Sequence, residues 1–241
     1  RVRNLTISFG GAGNLASITE VRDLSWPEFA KLLTTDPVVT EDKAARGWYI
    51  PAEFNPVYRD SKNLIGRHAL TLDYDHIAKE DVATIQAAFK GHTYCIYTTA
   101  SHTTEKPRVR VVMPTDRPMT ADEFCAVSRK VASWAGIELA ARESHAAAQM
   151  MFLPTVKSGG EFRGKVENGQ WLDVDAILKE CYTDWTDRAQ WPTRRDHDST
   201  YKADELPQPP DEKPGIVGDW CRAFDVPTAI EKFGLPYEKV K

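Results

Sequence analysis

No stretch of this sequence approaches the roughly 20 consecutive apolar residues that a membrane-crossing helix requires. An apolar signal-peptide core near the N-terminus is missing as well. Cysteine is sparse: Cys95, Cys125, Cys181 and Cys221 lie far apart with no CxxC pair. That spacing argues against a structural zinc site and a disulfide scaffold, and it places the expected compartment in the reducing cytoplasm. Positive charge is not in excess either. Lys and Arg number 31 against 35 Asp and Glu, a net charge of −4, which excludes a generally basic coat while leaving room for a local basic groove. Internal repeats are absent. What remains is an ordinary globular mix, 41% hydrophobic and 27% charged, which excludes collagen-like, coiled-coil and wholly disordered classes. Its 241 residues suffice for one large or two small domains with a sizeable core. The chain opens at Arg1 without a methionine, as a piece of a longer protein would.

Along the chain, Leu5 to Phe9 alternates like a strand and stops at Gly10-Gly11. Ser25 followed by Glu28 forms a capping-box pattern, which predicts a helix through Leu33. Prolines, aromatics and Asn between Trp48 and Arg67 predict an irregular loop. The next segment is the most regular. It reads as a strand at 69–72 running into Asp73-Tyr74-Asp75, a helix at 80–89 closed by Gly91, and a strand at 93–98. A strand at 108–113 ended by Pro114, a helix at 120–134 capped by Thr120 with Glu123, and a strand at 150–156 complete it. The order β-α-β-β-α-β predicts an α+β class, an RRM-like or ferredoxin-like module packed with an N-terminal α/β unit. A short helix at 174–181 follows. Residues 184–214 are polar and proline-bearing and read as a linker, and renewed apolar periodicity predicts the start of a helical module at 215–241. The expected domain is therefore 1–183.

Two carboxylates stand two residues apart at a strand end, Asp73 and Asp75, and period two puts both on one face of the sheet with Tyr74 on the other. Two hard oxygen ligands on a rigid strand suit Mg²⁺ or Mn²⁺. A strand-end pair that merely caps the next turn has the same spacing. Ser101-His102 follows the second of these strands, and Arg108 and Arg110 share one face of the third. Guanidinium forks suit phosphate oxygens, and His102 can donate to phosphate or sugar; a solvated edge face is the plainer alternative. A third acid is expected wherever two metals serve phosphoryl chemistry, with Glu138 and Glu143 as candidates. Asp173 and Asp175 repeat the spacing but open a helix, where N-capping is the expected job. Gln149 and Lys157, which bracket the strand at 150–156, are candidates to touch a triphosphate or template, although Gly159-Gly160 reads first as a hairpin turn. His145 is isolated and reads as structural.

Taken together, Asp73-Tyr74-Asp75, Ser101-His102, Arg108-Val109-Arg110 and the run Gln149 to Pro154 resemble the archaeo-eukaryotic primase superfamily. The likeness is greatest to primase-polymerase domains of phage and plasmid replication proteins. It spans about Trp48 to Trp191 and includes Trp171 to Asp175 and Asp184-Trp185. The resemblance implies a cytoplasmic, bacterial-host replication enzyme that carries out template-directed nucleotidyl transfer. Asp73 and Asp75 would be metal ligands, and His102 would contact the incoming nucleotide. A third acid should fall before Gln149: Glu143 is nearest the strand, whereas another alignment sets Ala141 at that position. Lys213 to Gly218 resembles the segment that joins such domains to a helicase. The implied mechanism uses two divalent ions, with Ser101, His102, Arg108 and Arg110 neutralising the phosphates of a dNTP or NTP on a single-stranded DNA template. Two rivals differ in class. One is a non-catalytic single-strand or origin-binding domain, although such a sheet usually presents aromatics where this one has carboxylates. The other is a nicking initiator, which would need a paired-His site, whereas His68, His76, His92 and His102 are scattered.

Overall fold

The longest strands are the two that carry the acidic and basic pairs. The computed structural model of the chain describes residues 3–194; the polar stretch from 195 and the expected helical module at 215–241 lie outside the described residues. In chain order the elements are β1 (Leu5–Gly10), β2 (Glu20–Leu24), α1 (Trp26–Thr34), β3 (Val38–Val39), β4 (Trp48–Ile50), β5 (Ala52–Phe54) and β6 (Leu64–Tyr74). They continue with α2 (Lys79–Ala88), β7 (Tyr94–Thr98), β8 (Val109–Met119), α3 (Ala121–Ala135), β9 (Met151–Phe152), β10 (Thr155–Val156), β11 (Gly164–Glu167) and α4 (Val174–Glu180). No helix among the described residues is long and apolar enough to cross a membrane.

A five-stranded antiparallel sheet in the order β11-β7-β8-β6-β5 forms the centre. Because β6 and β7 both run antiparallel to β8, they are parallel to each other and joined through α2, a split β-α-β unit. The strand expected at 150–156 does not complete it. Pro154 has no N–H to give a ladder and divides that segment. On one side of it β9 pairs with β4 in a second sheet, β2-β1-β4-β9, and on the other β10 pairs in parallel with β3. The edge beside β6 goes to β5 instead.

The expected loop at 48–67 is also strand for much of its length. Trp48, Tyr49 and Ile50 are all fully buried, because both faces of β4 are covered, and so the period-two pattern that marks a strand is lost. Strand β8 likewise runs beyond Pro114. Pairing passes from Ala69 opposite Pro114 to Arg67 opposite Met119, so residues 115–118 form a bulge that keeps Pro118 out of the ladder.

Local chemistry sets the helix ends as expected. Glu28 accepts from the Ser25 N–H at 2.9 Å, and Glu123 accepts from the Thr120 N–H at 2.8 Å while the Thr120 hydroxyl accepts from the Glu123 N–H at 3.3 Å. Gly136, at φ 107°, ends α3 in a conformation that a Cβ would strain. Asp173 caps α4 through a 2.8 Å bond from the Ala176 N–H. Trp185 and Trp191 pack against the core under α3, and the first compact unit extends to Thr193, past the expected boundary at 183.

The central sheet is buried on both faces. Leu70, Leu72 and Tyr74 pack with Ile85, Phe89, Phe124 and Val131 under the helices. Ala69, Cys95, Tyr97 and Val112 pack on the opposite side with Leu5, Ile7, Phe29, Leu33 and Tyr49 of the N-terminal unit. Each such fully buried large side chain contributes about 1.5–3 kcal/mol. The alternation along β6 therefore sends Asp73 toward the N-terminal unit, and the candidate site lies on that side.

Candidate functional site

Asp73 is the next residue after Thr71 on the face of β6 that looks away from the helices, and Asp75 follows it just past the strand end. Antiparallel pairing sets Arg110 of β8 directly opposite Asp73. The result is a two-pronged ion pair: Arg110 Nε donates to Asp73 Oδ1 at 2.5 Å and Nη2 to Oδ2 at 3.0 Å. Arg110 Nη1 donates to the Phe152 carbonyl at 3.0 Å and to the Tyr97 hydroxyl at 3.3 Å, and the Tyr97 and Tyr49 hydroxyls are 2.7 Å apart. Burial by itself would lower the Arg110 pKa, but Asp73, aided by Tyr97 and Tyr49, holds the guanidinium well above its ordinary value. Arg108, just before β8, faces Asp75 more loosely, at 3.7 Å, with side chains 32% and 37% exposed. An acid on one strand thus meets a base on the next in register, and a second acid and base meet just past the strand ends.

These four residues line a cavity of about 200 Å³ together with Lys43, Tyr97, Thr99, Ser101, Gln149, Phe152 and Thr155. Asp73, Asp75, Ser101, Arg108, Arg110 and Gln149, all expected at the site, are brought together there. His102 is not among its lining residues. It lines a second cavity of about 460 Å³ on the α2 side, with Lys79, Val82, Ile96 and Arg163. Its Nδ1 accepts from the Arg108 N–H at 3.1 Å, which leaves the ring proton on Nε2. Burial, helped by Arg163, lowers its pKa, so the ring is neutral near pH 7. His102 thereby braces the loop that delivers Arg108.

Glu143 is exposed on the 3₁₀ turn Arg142–His145, and neither it nor Glu138 lines the cavity. The segment expected to bring a third acid instead lies along the backbone of Asp73. The Ala141 N–H donates to the Asp73 carbonyl at 2.7 Å, and the Ser144 hydroxyl accepts from the Asp73 N–H at 2.9 Å. Among the described residues no three His, Cys, Asp or Glu side chains gather as a metal-binding group. Lys157 is exposed beyond β10 and does not reach the cavity wall. Lys43, Tyr97 and Phe152 do, and sequence reasoning missed them. Tyr97 sits in a strand buried on both faces, and Lys43 reaches the wall only because its loop folds against residues 153–158.

The oxygen-rich donor set, two carboxylates with Ser101 and Thr99 nearby, fits one hard divalent ion shared with a ligand's phosphates. It does not fit a cage of three carboxylates around two ions.

No curated protein matches the chain. Among solved structures, a chain described as the AEP domain of the cyanophage S-2L primase-polymerase is similar over 74% of this chain and 89% of that one, at 9% identity and a TM-score of 0.44. The family described as the VapE N-terminal domain matches residues 23–194, which includes both walls of the cavity. With well over half of its length matched in this way, the chain belongs to the VapE N-terminal domain family.

Proposed function

We propose that the cavity beside Asp73 and Arg110 receives the polyphosphate of a nucleoside triphosphate, and that the domain is a primase-polymerase of a phage or plasmid replication protein. It would add nucleotides on a single-stranded DNA template, with a helicase region as the expected C-terminal neighbour. The observation that carries this reading is the in-register pairing of Asp73 with Arg110 and the looser ion pair of Asp75 with Arg108 past the strand ends, all in one cavity wall. Phosphate chemistry needs cations for the phosphates and carboxylates for a metal. Here the two sets neutralise each other.

A nucleotide resolves this arrangement by exchange. The Arg110 fork fits phosphate oxygens as well as it fits a carboxylate. When its N–H groups turn to phosphate, both oxygens of Asp73 are released. Arg108, more loosely held, follows the same course, and the Ser101 and Thr99 hydroxyls offer further donors. Asp73 and Asp75 would hold Mg²⁺ or Mn²⁺, which would supply positive charge to the phosphates and lower the pKa of an attacking hydroxyl. Tyr97 and the Phe152 carbonyl keep the Arg110 side chain aimed at the cavity throughout. Template strands would be held through phosphates and stacking, with affinity that falls as salt rises.

A second reading has an observation of its own. Two carboxylates, each engaged by an arginine and without a third acid among the described residues, would also suit a domain that binds nucleotide or single strands without chemistry. Primer extension on a single-stranded template with Mg²⁺ or Mn²⁺ separates the two. The parent should extend the primer, and the Asp73→Ala/Asp75→Ala variant should not. Retained DNA binding without extension under either metal would select the binding module.

A further inference from the structure

Lys43 enters the cavity from the N-terminal unit, on a strap between Asp36 and Gly47 that is fastened on both sides of it. The Val38 and Thr40 N–H groups donate to the Pro154 and Val156 carbonyls at 3.3 and 2.9 Å. Arg46 Nη1 donates to the Asp36 and Pro154 carbonyls at 3.3 and 3.2 Å, the Glu41 carboxylate accepts from the Ser158 N–H at 3.1 Å, and the Gly47 carbonyl accepts from the Leu153 N–H at 3.0 Å. On this fixed strap the Lys43 ammonium lies 5.5 Å from the centre of the Phe152 ring, a cation–π arrangement. Among the described residues, Lys43, Arg108 and Arg110 are the cations of the cavity wall. Arg110 is engaged by Asp73 and Arg108 by Asp75, whereas Lys43 meets no carboxylate within ion-pair distance among the described residues.

From this we infer that Lys43 captures the terminal phosphates of the triphosphate, so that the strap of the N-terminal unit sets the preference for triphosphate over monophosphate. The inference rests on the nucleotide reading above. An incoming polyanion meets the wall cation that, among the described residues, has no carboxylate to leave. The flexible four-carbon stem and point charge of lysine suit the mobile end of the polyphosphate, while the rigid arginine forks suit the phosphates nearer the sugar. Lys43 is a binding residue, and its loss should be felt in proportion to the number of phosphates on the ligand.

The test is a fluorescence titration of the full chain, in Mg²⁺, with a deoxynucleoside triphosphate and the matching monophosphate, both labelled on the base. The parent should prefer the triphosphate. Lys43→Ala should weaken triphosphate binding about tenfold, the effect of one charge-assisted phosphate contact, and leave monophosphate binding and the melting temperature unchanged. Lys43→Arg should recover most of the loss. Equal triphosphate binding by parent and Lys43→Ala overturns the inference, as does an equal loss for both ligands. A parent that binds neither nucleotide overturns the nucleotide reading and this inference with it. A parent that binds triphosphate through Lys43 but extends no primer leaves the inference standing and removes the polymerase.

Discussion

At the scale of single residues, the two ion pairs of the site differ in kind. Arg110 is 8% exposed and holds Asp73 with two hydrogen bonds, whereas Arg108 and Asp75 are more open and 3.7 Å apart. Removing one partner of a buried pair strands the other charge in a poorly solvated place, at a cost of about 3–5 kcal/mol, whereas an exposed pair contributes about 0–1 kcal/mol. Asp73→Asn should therefore lower unfolding free energy in urea by several kcal/mol, and Asp75→Asn hardly at all. Equal effects would remove the distinction. His68 makes a second residue-scale prediction. Its Nδ1 accepts from Arg3 Nη1 at 2.8 Å and from the Thr6 N–H at 3.2 Å, and burial, reinforced by Arg3, lowers its pKa to about 4. The unfolded chain takes up that proton near pH 6.5. The contribution is thus intact above about pH 6.5 and lost progressively as pH falls toward 4, by at most about 3 kcal/mol. His68→Gln should flatten the fall of melting temperature over that range; an unchanged slope would assign it to other groups.

At the scale of elements, a single arginine fixes the cavity's far wall. Arg67 of β6 is fully buried and has no carboxylate partner among the described residues. It donates to the Ala69, Ala147 and Gln149 carbonyls at 3.3, 2.9 and 3.1 Å and to the Thr71 hydroxyl at 2.6 Å, with its guanidinium 4.5 Å from the centre of the Phe124 ring. Burial lowers its pKa to about 9, still high enough to keep the charge at neutral pH. The segment it ties down leads directly into Gln149, Met150 and Phe152 of the cavity. Arg67→Met should leave several buried carbonyls without donors, cost about 3 kcal/mol, and speed amide exchange at 147–153 more than in α3. Uniform acceleration would show that the clamp acts on the whole fold. Elements with amphipathic patterns and caps were legible in advance, as Ser25, Thr120 and Asp173 show. Trp48 to Ile50 and the divided segment at 150–156 were not, because burial on both faces erases periodicity and a proline can redirect a strand to another sheet.

At the scale of the whole molecule, the site belongs to the junction between two sheets. The central sheet supplies Asp73, Asp75, Arg108 and Arg110, while the N-terminal unit supplies Lys43 and, through the pairing of β9 with β4, Phe152. The sequence by itself determined the first group, since spacing of two on a strand dictates a shared face wherever that strand lies. It also determined the helix caps, which depend on contacts a few residues apart. The tertiary structure alone decided which acid meets which base, because that follows from the register of β6 against β8. It also decided that His102 faces the other cavity, that Glu143 stays outside while Ala141 lies beside Asp73, and that Lys43 reaches the wall. Each of these depends on pairing between residues far apart in the chain, and such pairing leaves no periodic trace in the residues that make it.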